Sequence, residues 1–171
     1  MTIDELHAKI DRGESLRGAD LANGSFPNAE FENFDLREAD LSECELNGAN
    51  FRQARLNDAT LDDSSLVNAN FHGASMYNVT MRGSDIDGAR FTHCYGVVDA
   101  GFDNRGYRFV GIWHPKEQTW MVKAGCRWFT MEEAEEHWGP DDMDNRDAMA
   151  RLAVIKAAVL PHHVRTGFTV D

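Results

Sequence analysis

Cys126 and His137 carry the residue types of a thiolate nucleophile and its general base. That chemistry also needs a group to orient the imidazole and donors to hold an oxyanion, and no motif supplies either, so both residues read as structural. His162-His163 follows Pro161, and a metal site there would need further ligands at suitable spacing, which are not evident. Cys44, Cys94 and Cys126 are spaced by 50 and 32, which fits neither a zinc pattern nor a disulfide framework. All three read as reduced, small and hydrophobic. Glycine-rich phosphate loops of the GxGxxG or GxxxxGK type are absent. The four tryptophans, Trp113, Trp120, Trp128 and Trp138, read as core rather than as a ligand box. The reading is therefore of a non-enzyme with no catalytic residue, no metal and no cofactor.

What remains is charge. The chain has 171 residues with 29 Asp and Glu against 17 Lys and Arg, a formal net charge of −12. Phosphate binding is driven by Lys and Arg, so direct contact with nucleic acid or an anionic membrane is not expected, whereas a basic protein partner is compatible. Hydrophobic residues make up 42%, aromatics 10% and charged residues 27%, a globular composition. No apolar run approaches the ~18 to 20 residues of a membrane span. Met1 to Arg12 carries Asp4, Glu5 and Asp11 and lacks the apolar stretch of a signal peptide, so the cytoplasm is the expected location.

The element that would position these charges shows in a period of five. From Leu16 the large apolar residues run Leu21, Phe26, Phe31, Leu36, Leu41, Leu46, Phe51, Leu56, Leu61, Leu66, Phe71, Met76, Met81, Ile86 and Phe91. Sixteen in a row by chance is roughly one in a million at this composition. The residue two before each is small, Ala in most cases, with Glu14, Phe34 and Val79 the exceptions. The other positions are mostly Asp, Asn, Ser, Arg, Glu or Gly, which suit a tight turn at each corner of a narrow coil. His72 and His93 fall on outward positions and read as solvated. A second period of twenty aligns Phe31, Phe51, Phe71 and Phe91 in one column and Leu21, Leu41, Leu61 and Met81 in another. Four quintets per turn over this span give four coils, about 19 Å tall at ~4.8 Å per stacked strand.

Ala39-Asp40-Leu41-Ser42-Glu43 and Ala49-Asn50-Phe51-Arg52-Gln53 resemble the motif of the pentapeptide-repeat family, and the resemblance covers about 80 residues. It implies a mainly β fold, a right-handed quadrilateral β-helix of about four coils.

A solenoid needs its ends covered. Residues 1–13 read as an N-terminal capping helix, with Thr2 and Glu5 at capping-box spacing and Gly13 closing it. Residues 14–95 form the β-helix. Residues 96–171 read as a small α+β C-terminal module: strands at Tyr107–His114 and Thr119–Ala124 joined by Pro115 to Gln118, a helix from Thr130 with Glu133 in capping-box position, the acidic linker Asp141 to Asp144, and a second helix with Ala148, Leu152, Ile155 and Val159 on one face, stopped by Pro161.

Charge is uneven around the repeat. One face displays Asp20, Asp40, Glu43, Asp62 and Asp63, opposed only by Arg82, and the next displays Glu45, Asp85 and Asp87 with no basic residue. These eight acids form the candidate partner-binding corner. The primary reading is a protein-binding scaffold whose C-terminal module is the docking element. The resemblance implies an alternative, since relatives that confer fluoroquinolone resistance mimic duplex DNA and bind type II topoisomerases. On that reading the partner is gyrase or topoisomerase IV, the source is bacterial or phage, and a homodimer remains open. Those relatives are longer rods that dimerise through a C-terminal helix, whereas this C-terminus is a separate module.

Overall fold

A computed structural model describes residues 3–114, 119–125, 127–139 and 145–166. Thr2, the connection Pro115 to Gln118, Cys126 and the linker Asp141 to Asp144 lie outside the described residues. The chain divides into two compact units, Met1–Val97 with Ile112–Thr119, and Val98–Gly111 with Trp120–Asp171.

The first unit opens with α1 (Ile3–Asp11), in which Leu6 is fully buried. The helix ends on a left-handed Gly13, whose N–H donates to Ile10 O at 2.9 Å, while Glu14 N donates to Lys9 O at 3.0 Å. This pair of bonds satisfies two of the carbonyls that a helix C-terminus leaves open.

From Leu16 the chain coils as a β-helix. Each quintet makes a tight turn whose second residue beyond the apolar one has positive φ, at every fifth position from Gly18 to His93. Eleven of these sixteen are not glycine, among them Glu38, Glu43, Gln53 and His93. The left-handed region costs such side chains about 1–2 kcal/mol each. The stack holds them there: Glu38 N donates to Asn57 O at 3.0 Å, Glu43 N to Asp62 O at 2.9 Å and Gln53 N to His72 O at 2.9 Å.

Successive coils are joined by parallel bridges between residues twenty apart. They fall in four columns: Asp20, Asp40, Thr60 and Thr80; Ser25, Glu45, Ser65 and Asp85; Glu30, Asn50, Asn70 and Arg90; Asp35, Arg55, Ser75 and Tyr95. The bonding is continuous, as where Leu21 N donates to Asp40 O at 2.8 Å and Asp40 N to Ala19 O at 2.9 Å. The large residues after each bridge point inward and are 0–4% exposed. Phe31, Phe51, Phe71 and Phe91 stack with centroids 4.9, 4.8 and 5.1 Å apart and planes within 10° of parallel. Their spacing is that of the strands themselves, which imposes face-to-face packing that free aromatic pairs avoid. Three small polar side chains of the interior are satisfied: the Ser64 hydroxyl donates to Leu41 O at 2.7 Å, Ser84 to Leu61 O at 2.5 Å and the Cys44 thiol to Leu21 O at 3.1 Å.

The later part of the chain builds a four-stranded sheet, β1 (Val97–Phe102), β2 (Arg108–His114), β3 (Thr119–Ala124) and β4 (Arg127–Thr130), in spatial order β1-β2-β3-β4. This is two strands more than the hairpin read from sequence. β4 pairs antiparallel with β3, Met121 opposite Thr130. Four residues carry too little periodicity to show as a strand, and β1 contains Gly101, which weakens the strand pattern. Thr130 then caps α2 (Met131–His137): its hydroxyl accepts from Glu133 N at 3.2 Å, and its own N–H donates to the Glu133 carboxylate at 2.7 Å. The last element, α3 (Arg146–Thr166), runs past Pro161 instead of stopping there. A proline removes one helical bond, a loss an existing helix can tolerate. The core of this unit joins Phe109, Val122, Met131, Ala134, Trp138, Ala148, Leu152 and Ile155.

Candidate partner-binding surface

Because the large and small inward residues are used up in packing, what the coil presents to a partner is its outward positions. The structure distributes the eight candidate acids over two consecutive faces. Asp20 and Asp40 are neighbouring rungs of one column, and Glu45 and Asp85 share the next with Ser65 between them. Glu43, Asp62 and Asp63 lie in the turns that join the two faces, and Asp87 in the turn that leaves the second. The acids therefore extend along the coil axis as a stripe rather than meeting at one point.

Several are held by local bonds. Asp20 Oδ1 accepts from Ala22 N at 3.2 Å, Asp40 Oδ1 from Ser42 N at 3.0 Å and from the Ser42 hydroxyl at 2.6 Å, and Asp85 Oδ1 from Asp87 N at 3.1 Å. Asp62 Oδ1 accepts from Arg82 N one coil on, at 2.7 Å, and Glu45 from the Ser25 hydroxyl at 2.5 Å. These bonds fix direction without cancelling charge. Arg82 is the one basic residue that the sequence places on these two faces.

The other two faces behave differently. There Asp35 takes Arg37 at 2.7 Å and Arg55 at 3.1 Å, Glu38 takes Arg17 at 2.5 Å and Glu32 lies 3.7 Å from Arg52. The Arg37 side-chain bonds hold the Asp35 carboxyl at about 2, below the usual carboxylate value. Excluding Glu14, these faces carry five acids, Glu30, Glu32, Asp35, Glu38 and Asp58, and five arginines, Arg17, Arg37, Arg52, Arg55 and Arg90, whereas the acidic faces carry eight acids and Arg82. The pairings were not read from the sequence. Their signal was available, as Arg17 and Glu38 are 21 apart and Asp35 and Arg55 are 20 apart.

His137 stacks on Phe129 at 5.3 Å and meets Trp138 edge-on at 4.7 Å, while Cys126 and the side chains of His162 and His163 lie outside the described residues. Cys44 is buried, and burial pushes its thiol pKa up, away from the reactive thiolate. No group of three or more His, Cys, Asp or Glu able to hold a metal occurs among the described residues. No helix among them is long and apolar enough to cross a membrane.

A second surface escaped sequence reading. Phe102 is 60% and Tyr107 47% exposed, on either side of the β1–β2 turn. The turn is organised by Asp103, whose fully buried carboxylate accepts from Arg105 N and Tyr107 N, each at 2.9 Å, and from the Arg105 guanidinium at 2.7 Å. Arg105 in turn lies 5.4 Å from the Tyr107 ring centre.

A family model for the pentapeptide repeat region matches residues 15–91. Among solved structures, the chain is similar to a pentapeptide repeat protein from Nostoc Pcc 7120, at 30% identity over 52% of this chain and 74% of that one, with a TM-score of 0.50. It is also similar to a pentapeptide repeat protein of the Arabidopsis thaliana thylakoid lumen, at 32% identity over 48% of this chain and 68% of that one, TM-score 0.30. A third similarity is to QnrB1, a plasmid-mediated fluoroquinolone resistance protein, at 27% identity over 47% of this chain and 44% of that one, TM-score 0.32. Comparison with curated proteins gives no match.

Proposed function

The chain belongs to the pentapeptide repeat family, and we propose that it is a non-enzymatic, cytoplasmic protein-binding scaffold. In this reading residues 14–95 are a right-handed quadrilateral β-helix of about four coils, residues 1–13 cap it, and residues 96–171 are the docking element. The observation that carries the docking role is the exposed pair Phe102 and Tyr107 beside Arg105, on a turn fixed by a buried carboxylate. Aromatic and arginine side chains held rigid before binding are the composition of interface hot spots. The test is capture of partners from a bacterial lysate with the full chain and with Phe102→Ser/Tyr107→Ser. Docking through this turn gives a partner that survives high salt and is lost in the variant. A partner retained by the variant refutes the role.

Eight acids against one arginine along two consecutive faces favour a second reading, in which Asp20, Asp40, Glu43, Glu45, Asp62, Asp63, Asp85 and Asp87 stand in for DNA phosphates before the basic channel of a type II topoisomerase such as gyrase. Attraction of that kind fades as salt shortens the Debye length to ~8 Å at physiological strength. Capture abolished by salt, together with inhibition of gyrase supercoiling, supports mimicry over docking.

A further inference from the structure

His72 and His93 come from consecutive coils, yet their rings lie 5.1 Å apart, at 76° to one another. We propose that they form a surface site for a borderline divalent transition ion such as Zn2+, with water in the remaining positions. The separation is the first argument. A metal–nitrogen bond of ~2.0–2.1 Å puts each ring centre about 3.2 Å from the ion, and two such rings at a tetrahedral angle have centres about 5.2 Å apart.

Preorganisation is the second argument. His72 Nδ1 lies 2.8 Å from the Thr92 hydroxyl, a bond that turns the ring and, when Nδ1 carries the proton, leaves Nε2 as the ligand. The backbone beneath is fixed: His72 N donates to Asn70 Oδ1 at 3.2 Å, and Gly73 N to Thr92 O at 2.9 Å. His93 holds a left-handed φ of 58°. The position twenty residues before it is Gly73, so no side chain from the coil below competes for the space beside His72. A Cβ there would touch Gln53 Cγ at 3.4 Å. Two protein ligands make an open site, unlike the four-ligand sites that hold structural zinc, and the open positions can accept a ligand from a partner. The site lies away from the acidic stripe and is independent of the function proposed above.

Zn2+ binding to the full chain, with no other ligand present, is measured by calorimetry. The chain has seven histidines and three cysteines, so the variants rather than the wild type locate the site. His72→Gln and His93→Asn should each weaken binding by more than about tenfold, since losing an outer-shell partner alone costs 10–100-fold. Thr92→Val should weaken it by about tenfold through lost orientation of the ring. Asn at 93 accepts the left-handed backbone, and an unchanged thermal melt shows that the fold is intact. A wild type that binds no Zn2+, or a double variant that binds it as the wild type does, overturns the proposal.

Discussion

Replacing Phe51 with Ala tests the coil at its centre. The ring is fully buried between Phe31 at 4.9 Å and Phe71 at 4.8 Å. Truncating a buried Phe costs about 3–5 kcal/mol, the spread reflecting how far the surroundings collapse. Collapse is blocked here. The coils above and below are pinned at this column, with Phe31 N donating to Asn50 O and Phe51 N to Asn70 O, both at 2.8 Å, so closing the gap would break backbone bonds. The upper part of the range applies, about 4–5 kcal/mol, which corresponds to a fall in melting temperature of roughly 10–20 °C for a chain of this size. Phe51→Leu keeps most of the volume and loses two ring contacts at about 0.5–1.5 kcal/mol each, about 1–3 kcal/mol together, so its fall should be smaller than that of Phe51→Ala. Thermal unfolding followed by circular dichroism gives both values. A shift under about two degrees for Phe51→Ala would mean that the ring is not interior, and the register would be wrong.

Asp35 should make stability depend on acid. Its carboxyl is held at about 2 against an ordinary 3.8, so its contribution, about 2 kcal/mol, is complete above 3.8 and disappears as pH falls through 2. Urea midpoints between pH 5 and pH 2 should fall more for the wild type than for Asp35→Asn, and equal falls would discount the Arg37–Asp35–Arg55 group. The triple change Asp40, Asp62 and Asp63 to Asn should leave the melt within about two degrees, because exposed charges contribute little to folding. If mimicry holds, it should also weaken inhibition of gyrase supercoiling, and wild-type protein that leaves gyrase untouched at micromolar concentration removes that reading. Cys126→Ser should leave partner capture unchanged, and a folded variant that loses its partner would contradict a non-enzymatic, structural Cys126.

The coil was legible because one rule governs each quintet. An inward residue must fit a narrow interior, so Leu41 and Phe51 could be placed without knowing any neighbour. The alignment of Phe31 with Phe51 was legible for the same reason, since like side chains stack when coils repeat. The C-terminal elements obey no such rule. β4 is set by its pairing with β3 and by the helix that Thr130 starts, so its four residues carry little signal of their own. Pro161 was read by a local rule that the rest of α3 overrides. Among the candidate acids, residue type and face were readable, but not which would find an arginine. That depends on residues twenty apart: among the candidates Asp62 has Arg82 at that spacing and Asp40 has Thr60, as outside them Asp35 has Arg55.

The twenty-residue ladder also governs how such a chain can change length. Deleting one quintet would keep every large residue inside but move all later residues back by one face. The phenylalanine column would then be interrupted by leucine, and acids of the two acid-rich faces would be displaced against the arginines of their neighbours. Deleting twenty residues, for example 50–69, would instead bring Phe71 onto the face of Phe31 with each column of bridges intact. Length variation that preserves a binding surface is therefore quantised in whole coils. A variant shorter by twenty should fold with its charge pattern aligned, whereas one shorter by five should fold with its surface scrambled.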